Sequence, residues 1–276
     1  MSLNFTKMSG AGNDFVMIDN RDGSVCLGRE QIEWICDRHR GVGADGLLLV
    51  EKIDGGQADF RMHYYNADGG EAEMCGNGAR CFARFVQTLG WKKPEVRFMT
   101  PAGLIEAKFE GDEVRINLGT PKDLLMAQTI DLQSGSVKIH SINTGVPHAV
   151  MFVQNADEAM VGEWGREIRN HPMFQPRGTN VNFVQLQEGN QIRVRTYERG
   201  VENETLACGT GVVASAIIAH LFHRVPAPVR AQVQGGDTLE VSFSAQDGRI
   251  EDVHLKGPAD FVFEGKLTLP KKFRLS

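Results

Sequence analysis

Of the five cysteines in this chain, two sit in the same local setting. Cys75 opens Cys75-Gly76-Asn77-Gly78, and Cys208 opens Cys208-Gly209-Thr210-Gly211. Tyr65-Asn66-Ala67-Asp68-Gly69-Gly70-Glu71 leads into the first, and Tyr197-Glu198-Arg199-Gly200-Val201-Glu202 leads into the second. Each motif starts a run that reads as a helix. A thiol at a helix N-terminus titrates below its free value of about 8.5, in the range of roughly 3.5–7.5. The N–H groups exposed there bind anions, and glycines without a Cβ let backbone approach a ligand closely. Two such starts would cradle one carboxylate with a thiol on either side. Removing a proton from the carbon beside that carboxylate moves charge into it, and aimed N–H dipoles stabilise the charge as it develops. One thiolate would take the proton and the opposite thiol would return one to the other face, inverting the carbon. This is general acid–base catalysis by a matched pair. It needs no pyridoxal electron sink, and a proton shared between two close thiols belongs to the pair. One Cys-Gly-x-Gly could be no more than a tight strand-to-helix turn. Two in equivalent places favour chemistry.

Other candidate motifs carry less. No Cys-x-x-Cys pair exists and the cysteine count is odd, so neither a disulfide framework nor a zinc ribbon fits. Cys26, Cys36 and Cys81 are expected to be buried structural thiols. Gly41-Val42-Gly43-Ala44-Asp45-Gly46 matches a dinucleotide fingerprint, but it follows a helix and precedes a strand, the reverse of the required order. His39, His63, His140, His171, His220, His223 and His254 show no metal spacing. His148, beside Pro147 at a strand start, stands open between a structural and a functional role. Cys75 with His148 could form a nucleophile–base pair for acyl transfer, a reading that leaves Cys208 and the repetition unexplained. A non-catalytic binding protein is a third option, and it would never exchange a substrate C–H bond with solvent.

The elements that must position these residues are mostly short strands. Phe15–Asp19, Gly46–Val50 and Phe60–Tyr65 are apolar or alternating runs bounded by turn residues. Hairpin turns are expected at Glu110–Glu113, Glu188–Gln191, Gly235–Asp237 and Gln246–Gly248. Helices are expected over Arg29–Arg40, closed by Gly41, over Gly76–Leu89, closed by Gly90, and over Gly209–Phe222. The last is apolar nearly all round and should be buried on every side. Gly12-Asn13-Asp14-Phe15-Val16 is echoed by Asn180-Val181-Asn182-Phe183-Val184, which suggests an internal repeat. The expected architecture is α+β: two pseudo-twofold-related domains, each of mostly antiparallel strands wrapped around a central helix. Turn chemistry at Leu118-Gly119-Thr120-Pro121-Lys122 divides them, giving 1–118, with 263–276 returning to it, and 119–262. A formal charge of -5 over 276 residues offers no electrostatic reason for nucleic acid or an anionic membrane as partner. No apolar run approaches the roughly 20 residues of a membrane span, and the first residues lack signal or transit character. A cytoplasmic protein with reduced thiols is expected.

Met8-Ser9-Gly10-Ala11-Gly12-Asn13-Asp14-Phe15, Arg38-His39-Arg40-Gly41-Val42-Gly43-Ala44-Asp45-Gly46, Met74-Cys75-Gly76-Asn77-Gly78-Ala79-Arg80-Cys81, Tyr197-Glu198-Arg199-Gly200 and Ala207-Cys208-Gly209-Thr210-Gly211 occur in that order. Together they resemble the diaminopimelate epimerases over essentially the whole chain. The resemblance implies interconversion of L,L- and meso-diaminopimelate for lysine and, in many bacteria, peptidoglycan synthesis, with the substrate in a cleft between two similar domains. It puts the catalytic pair on Cys75 and Cys208. It puts substrate contacts on Asn13, Asn66, Gly76, Asn77, Asn182, Glu198, Arg199, Gly209 and Thr210, with Arg199 and Asn182 at the distal end. His148 and Glu198 match positions that adjust the thiols' protonation. With both proton carriers built in, no cofactor and no metal are expected; the partner is the small-molecule substrate, and a homodimer is left open. Val146 departs from the amide many relatives carry, and Gly46 from a glutamine found in some. A proline-racemase-like enzyme shares the two motifs, but there His usually follows the first Cys-Gly, where this chain has Asn77.

Overall fold

The computed structural model describes residues 2–53, 55–246, 249–270 and 273. Its elements in chain order are β1 (Ser2–Gly10), β2 (Asn13–Asp19), α1 (Arg29–Cys36), β3 (Gly46–Lys52), β4 (Phe60–Asn66), β5 (Glu71–Ala72), α2 (Gly76–Thr88), β6 (Glu95–Thr100), β7 (Gly103–Glu110) and β8 (Glu113–Asn117). There follow β9 (Lys122–Leu132), β10 (Gly135–Asn143), β11 (Pro147–Phe152), α3 (Val161–Asn170), β12 (Asn180–Leu186), β13 (Gln191–Glu198), β14 (Asn203–Thr205) and α4 (Gly209–His223). The last strands are β15 (Val229–Gln232), β16 (Thr238–Gln246), β17 (Arg249–Pro258) and β18 (Asp260–Thr268). The chain forms two compact units, Met1–Ile116 with Gly257–Ser276, and Asn117–Lys256.

Strand pairing is the same in each unit. In the first, β18 pairs antiparallel with β1, β1 with β2, and β3 with β4, while β2 runs parallel to β3 and β4 parallel to β6. In the second, β9 pairs antiparallel with β10, β10 with β11, and β12 with β13, while β11 runs parallel to β12 and β13 parallel to β15. Each parallel pair occurs where a helix carries the chain back, as a parallel connection requires. The sheets are therefore mixed, antiparallel in the main. α4 touches β10, β11, β12, β13, β15 and β16, so the strands surround it. The opposite face is covered as well. Val16, Ile18, Leu47 and Leu49 pack with Ile32 and Ile35 of α1, and Val181, Phe183 and Tyr197 pack with Val161 and Ile168 of α3. Burial on both faces is why β2 and β3 read as continuous apolar runs.

Several expectations need correction. α1 ends at Cys36 rather than Arg40, because the Asp37 carboxylate accepts from the N–H groups of His39 and Arg40 and closes a turn. α3 escaped notice because Gly162 and Gly165 weaken its helical propensity. Gly165 is nevertheless required, since a Cβ there would lie 2.5 Å from Cβ of Tyr197. α4 is buried through Ala219, but its last turn exposes Phe222. The hairpin residues Asp247 and Gly248 lie outside the described residues. The echo of Gly12–Val16 by Asn180–Val184 is not an equivalence. Val16, Leu47 and Tyr65 align across β2, β3 and β4 as Ala149, Val181 and Tyr197 align across β11, β12 and β13. In that frame β2 corresponds to β11 and β3 to β12, so Asn13 is the counterpart of Val146, Phe15 of His148, and Leu48 of Asn182. Among the described residues no helix is long and apolar enough to cross a membrane.

Candidate active site

Cys75 is the N-cap residue of α2 and Cys208 that of α4, both with extended backbone. At neither helix start does the N-cap side chain make a capping hydrogen bond. Each carbonyl accepts the first helical bond, Cys75 from Ala79 at 2.8 Å and Cys208 from Val212 at 2.9 Å. The two starts rest on different floors. A Cβ at Gly78 would touch Phe15 and Leu48 at 3.4 Å, and the Phe15 ring meets Tyr64 edge-on at 5.9 Å. At the corresponding Gly211, a Cβ would run into Oδ1 of Asn182. An apolar floor of Phe15, Leu48 and Tyr64 thus supports the first start, and a polar one of His148, Asn182 and Thr196 supports the second.

The first start is held by charged groups. Asn13 donates through Nδ2 to Oδ2 of Asp45 at 2.6 Å, which turns its Oδ1 toward Cys75 Sγ and Asn77 Nδ2, each at 3.5 Å. Arg38 donates to both Asp14 and Asp45 at 2.9 Å, and Lys7 pairs with Asp14 at 2.8 Å. Burial works to raise the Asp14 carboxyl, but the bonds from Arg38 and Lys7 prevail and hold it down at about 2. Arg80, fully buried, donates to Asn77 Oδ1 at 2.9 Å, to the Gly76 carbonyl at 3.3 Å and to the Pro258 carbonyl at 3.2 Å. Asn66, at the exposed end of β4, bonds through its backbone N–H to the Gly70 carbonyl at 2.9 Å. Gly46 is tight: a Cβ would lie 2.5 Å from the Tyr64 ring and 2.6 Å from the Tyr65 carbonyl, so no larger side chain fits this backbone.

The second start is held by a buried chain of neutral groups. Thr196 Oγ1 donates to Asn182 Oδ1 at 3.0 Å, and Asn182 Nδ2 donates to the Ala149 carbonyl at 3.0 Å while facing His148 Nδ1 at 3.2 Å. His148 Nε2 meets Thr210 Oγ1 at 2.9 Å, and that hydroxyl lies 3.7 Å from Cys208 Sγ. Thr144 Oγ1 donates to the Thr210 carbonyl at 2.9 Å. Burial first, and the charge of Arg199 second, push His148 down to about 3, so its ring is neutral. Glu198 accepts from Thr205 at 2.8 Å, and the Arg199 backbone N–H donates to Asn180 at 2.8 Å. Asn182 is fully buried with its amide engaged on all sides, which makes its side chain a support for His148.

The structure thus groups Asn13, Cys75 and Asn77 at one start, and His148, Asn182, Thr210 and Cys208 at the other. Sequence reasoning missed Lys7, Asp45, Arg80, Thr144 and Thr196. Arg80 left a signal, a charge one turn after Asn77 inside an apolar helix. Asp45 lies in the glycine-rich run Gly41–Gly46, where spacing alone gives it no role. Among the remaining thiols, Cys36 and Cys81 are buried and burial pushes both up to about 12, whereas Cys26 is exposed. The expectation that Cys26 is buried is corrected. It lies in the irregular stretch before α1, outside the packed layers. Among the described residues no cluster of three or more His, Cys, Asp or Glu side chains could hold a metal ion.

The diaminopimelate epimerase family model matches residues 5–124 and 140–262. The chain belongs to the diaminopimelate epimerase family. It is 42% identical to the diaminopimelate epimerase of Chlorobaculum tepidum over 95% of this chain and 100% of that one. It is 43% identical to that of Aquifex aeolicus over 96% and 98%. Family membership makes the chain an enzyme of the isomerase class. Among solved structures, a phenazine biosynthesis protein of the PhzF family from Bacillus anthracis superposes with a TM-score of 0.74 at 16% identity, covering 98% of this chain and 100% of that one. A hydroxyproline epimerase from Agrobacterium vitis gives 0.74 at 15% identity over 96% and 92%. At such identities these two establish the shared fold.

Proposed function

We propose that the enzyme interconverts L,L- and meso-diaminopimelate by proton transfer between Cys75, Cys208 and the substrate α-carbon, without cofactor or metal. One observation carries the reading: in a chain of this family, two units of the same strand order each set a cysteine as N-cap of the helix that follows the corresponding hairpin. The substrate α-carboxylate accepts from the N–H groups of the first turns, Gly76 and Asn77 on one side, Gly209 and Thr210 on the other, and gains charge as the α-proton leaves. One thiolate removes that proton while the other thiol delivers one to the opposite face, and the carbon inverts. Asn13 and Asn66 contribute polar contacts, and Glu198 and Arg199 meet the distal ammonium and carboxylate. His148 and Glu198 set the protonation of the thiols. The reaction serves lysine and peptidoglycan precursor synthesis in the cytoplasm.

The test is incubation with L,L-diaminopimelate in D2O. Deuterium should enter at the α-carbon that inverts, in wild type dialysed against chelator and a carbonyl trap. Cys75→Ala and Cys208→Ala should each lower turnover by about 10²-fold or more. Turnover near wild type in either variant sinks the two-thiol mechanism.

A further inference from the structure

Both cysteines cap a helix and feel the same dipole, so the dipole does not decide which one carries the charge. Hydrogen-bond polarity does, and it can be followed at each start from a group whose role is fixed. At the first start the fixed groups are the Asp45 carboxylate, which accepts, and the Arg80 guanidinium, which donates. Asp45 requires the Asn13 amide to present Nδ2 to it, at 2.6 Å, and so to present Oδ1 to Cys75. Arg80 requires Asn77 to present Oδ1 to it, at 2.9 Å, so Asn77 Nδ2 is the atom that meets Asn13. Cys75 Sγ therefore faces a carbonyl oxygen at 3.5 Å, an acceptor that favours a thiol carrying its proton.

At the second start the fixed group is the Ala149 carbonyl, which can only accept. It requires Asn182 to present Nδ2, and the amide's other N–H then points at His148 Nδ1 at 3.2 Å. Thr196 donating to Asn182 Oδ1 agrees with this orientation. Neutral His148 must then carry its proton on Nε2 and donate it to Thr210 Oγ1 at 2.9 Å. The Thr210 hydroxyl proton is left to point along its remaining contact, to Cys208 Sγ at 3.7 Å. Cys208 Sγ therefore faces a donor, which favours a thiolate.

We propose that Thr210 is a positioning residue whose hydroxyl, aimed by the buried Thr196–Asn182–His148 chain, donates to Cys208 Sγ, so that the substrate-free enzyme holds its thiolate on Cys208 and its thiol proton on Cys75. The assignment rests on the two-thiol reading above. It is specific to the second unit, because Asn77 stands where Thr210 does and Phe15 where His148 does.

The test is brief alkylation of the substrate-free enzyme with limiting iodoacetamide at neutral pH, read by peptide mass spectrometry with exposed Cys26 as internal reference. Only the thiolate attacks, displacing iodide to form the thioether. Accessibility alone favours Cys75, which is half-buried against 7% exposure for Cys208. The expected result is the opposite, with Cys208 modified about ten times faster than Cys75, the ratio that one charge-assisted hydrogen bond supports. Thr210→Val should lower that ratio about tenfold, and Thr210→Ser should restore it. Faster modification of Cys75 in wild type, or an unchanged ratio in folded Thr210→Val, overturns the assignment. Neither result touches the two-thiol mechanism, which the single-cysteine variants and solvent exchange decide separately.

Discussion

Replacing His148 with glutamine should flatten the acid side of the second unit's stability. Glutamine is neutral and close in size, and it can accept from Asn182 and donate to Thr210 as the histidine does. It lacks the histidine's titration. In the folded chain burial, aided by the Arg199 charge, pushes His148 down to about 3, against an ordinary 6.5. The depressed group sets the sign. Between those values the unfolded chain binds the proton and the folded one refuses it, so the contribution is whole above 6.5 and is lost as pH falls toward 3. At pH 5 the unfolded imidazole lies about 1.5 units below its titration point, which corresponds to about 2 kcal/mol of lost stability relative to pH 7.5. The glutamine variant escapes this loss. Urea titrations at both pH values, read by hydrogen exchange on peptides covering β11 and β12, isolate the second unit. The wild type should lose about 2 kcal/mol more than the variant between pH 7.5 and 5. Equal losses would show that His148 is not held neutral by its surroundings, and the orientation of Thr210 derived from it would fall with that.

Gly211→Ala should destabilise the second unit by about 1–3 kcal/mol and depress solvent exchange at the substrate carbon, because the new Cβ displaces Asn182; urea midpoints beside a deuterium assay check both. Arg80→Met removes the guanidinium from Asn77 and from the Gly76 and Pro258 carbonyls, so the first unit should lose at least about 2 kcal/mol, with Arg80→Lys recovering only part in the same denaturation assay. Cys81, buried and pushed up to about 12, should resist iodoacetamide in the native enzyme and react once urea unfolds the first unit, while Cys26 reacts from the start. Mass-spectrometric mapping across a urea series distinguishes the two.

Local chemistry was legible in the chain itself. The two Cys-Gly-x-Gly starts, the strand before each and the helix after each follow from residue type and spacing over a few neighbours, and the structure has α2 and α4 beginning where glycine follows cysteine. The strand cores were equally plain, since burial on both faces leaves an uninterrupted apolar run. What failed were places where a weak local signal met a stronger distant one. α3 forms despite two glycines because Tyr197, from a strand far along the chain, needs Gly165 beneath it. The echo of Gly12–Val16 by Asn180–Val184 looked like repetition, but strand register makes β2 correspond to β11 rather than to β12, and register is set by cross-strand partners. The same holds for the two floors. Nothing in the spacing tells that Phe15 and Leu48 lie under one cysteine's helix while His148 and Asn182 lie under the other's. Those residues come from strands distant in sequence, and they meet only when parallel pairing carries β3 beside β2 and β12 beside β11. The sequence by itself determined that each of two glycine-led helix starts follows a cysteine. The hydrogen-bond polarity around each thiol was decided by the tertiary structure alone, because it runs through Asp45, Arg80 and the Ala149 carbonyl, groups that acquire their direction only once the strands and helices are packed.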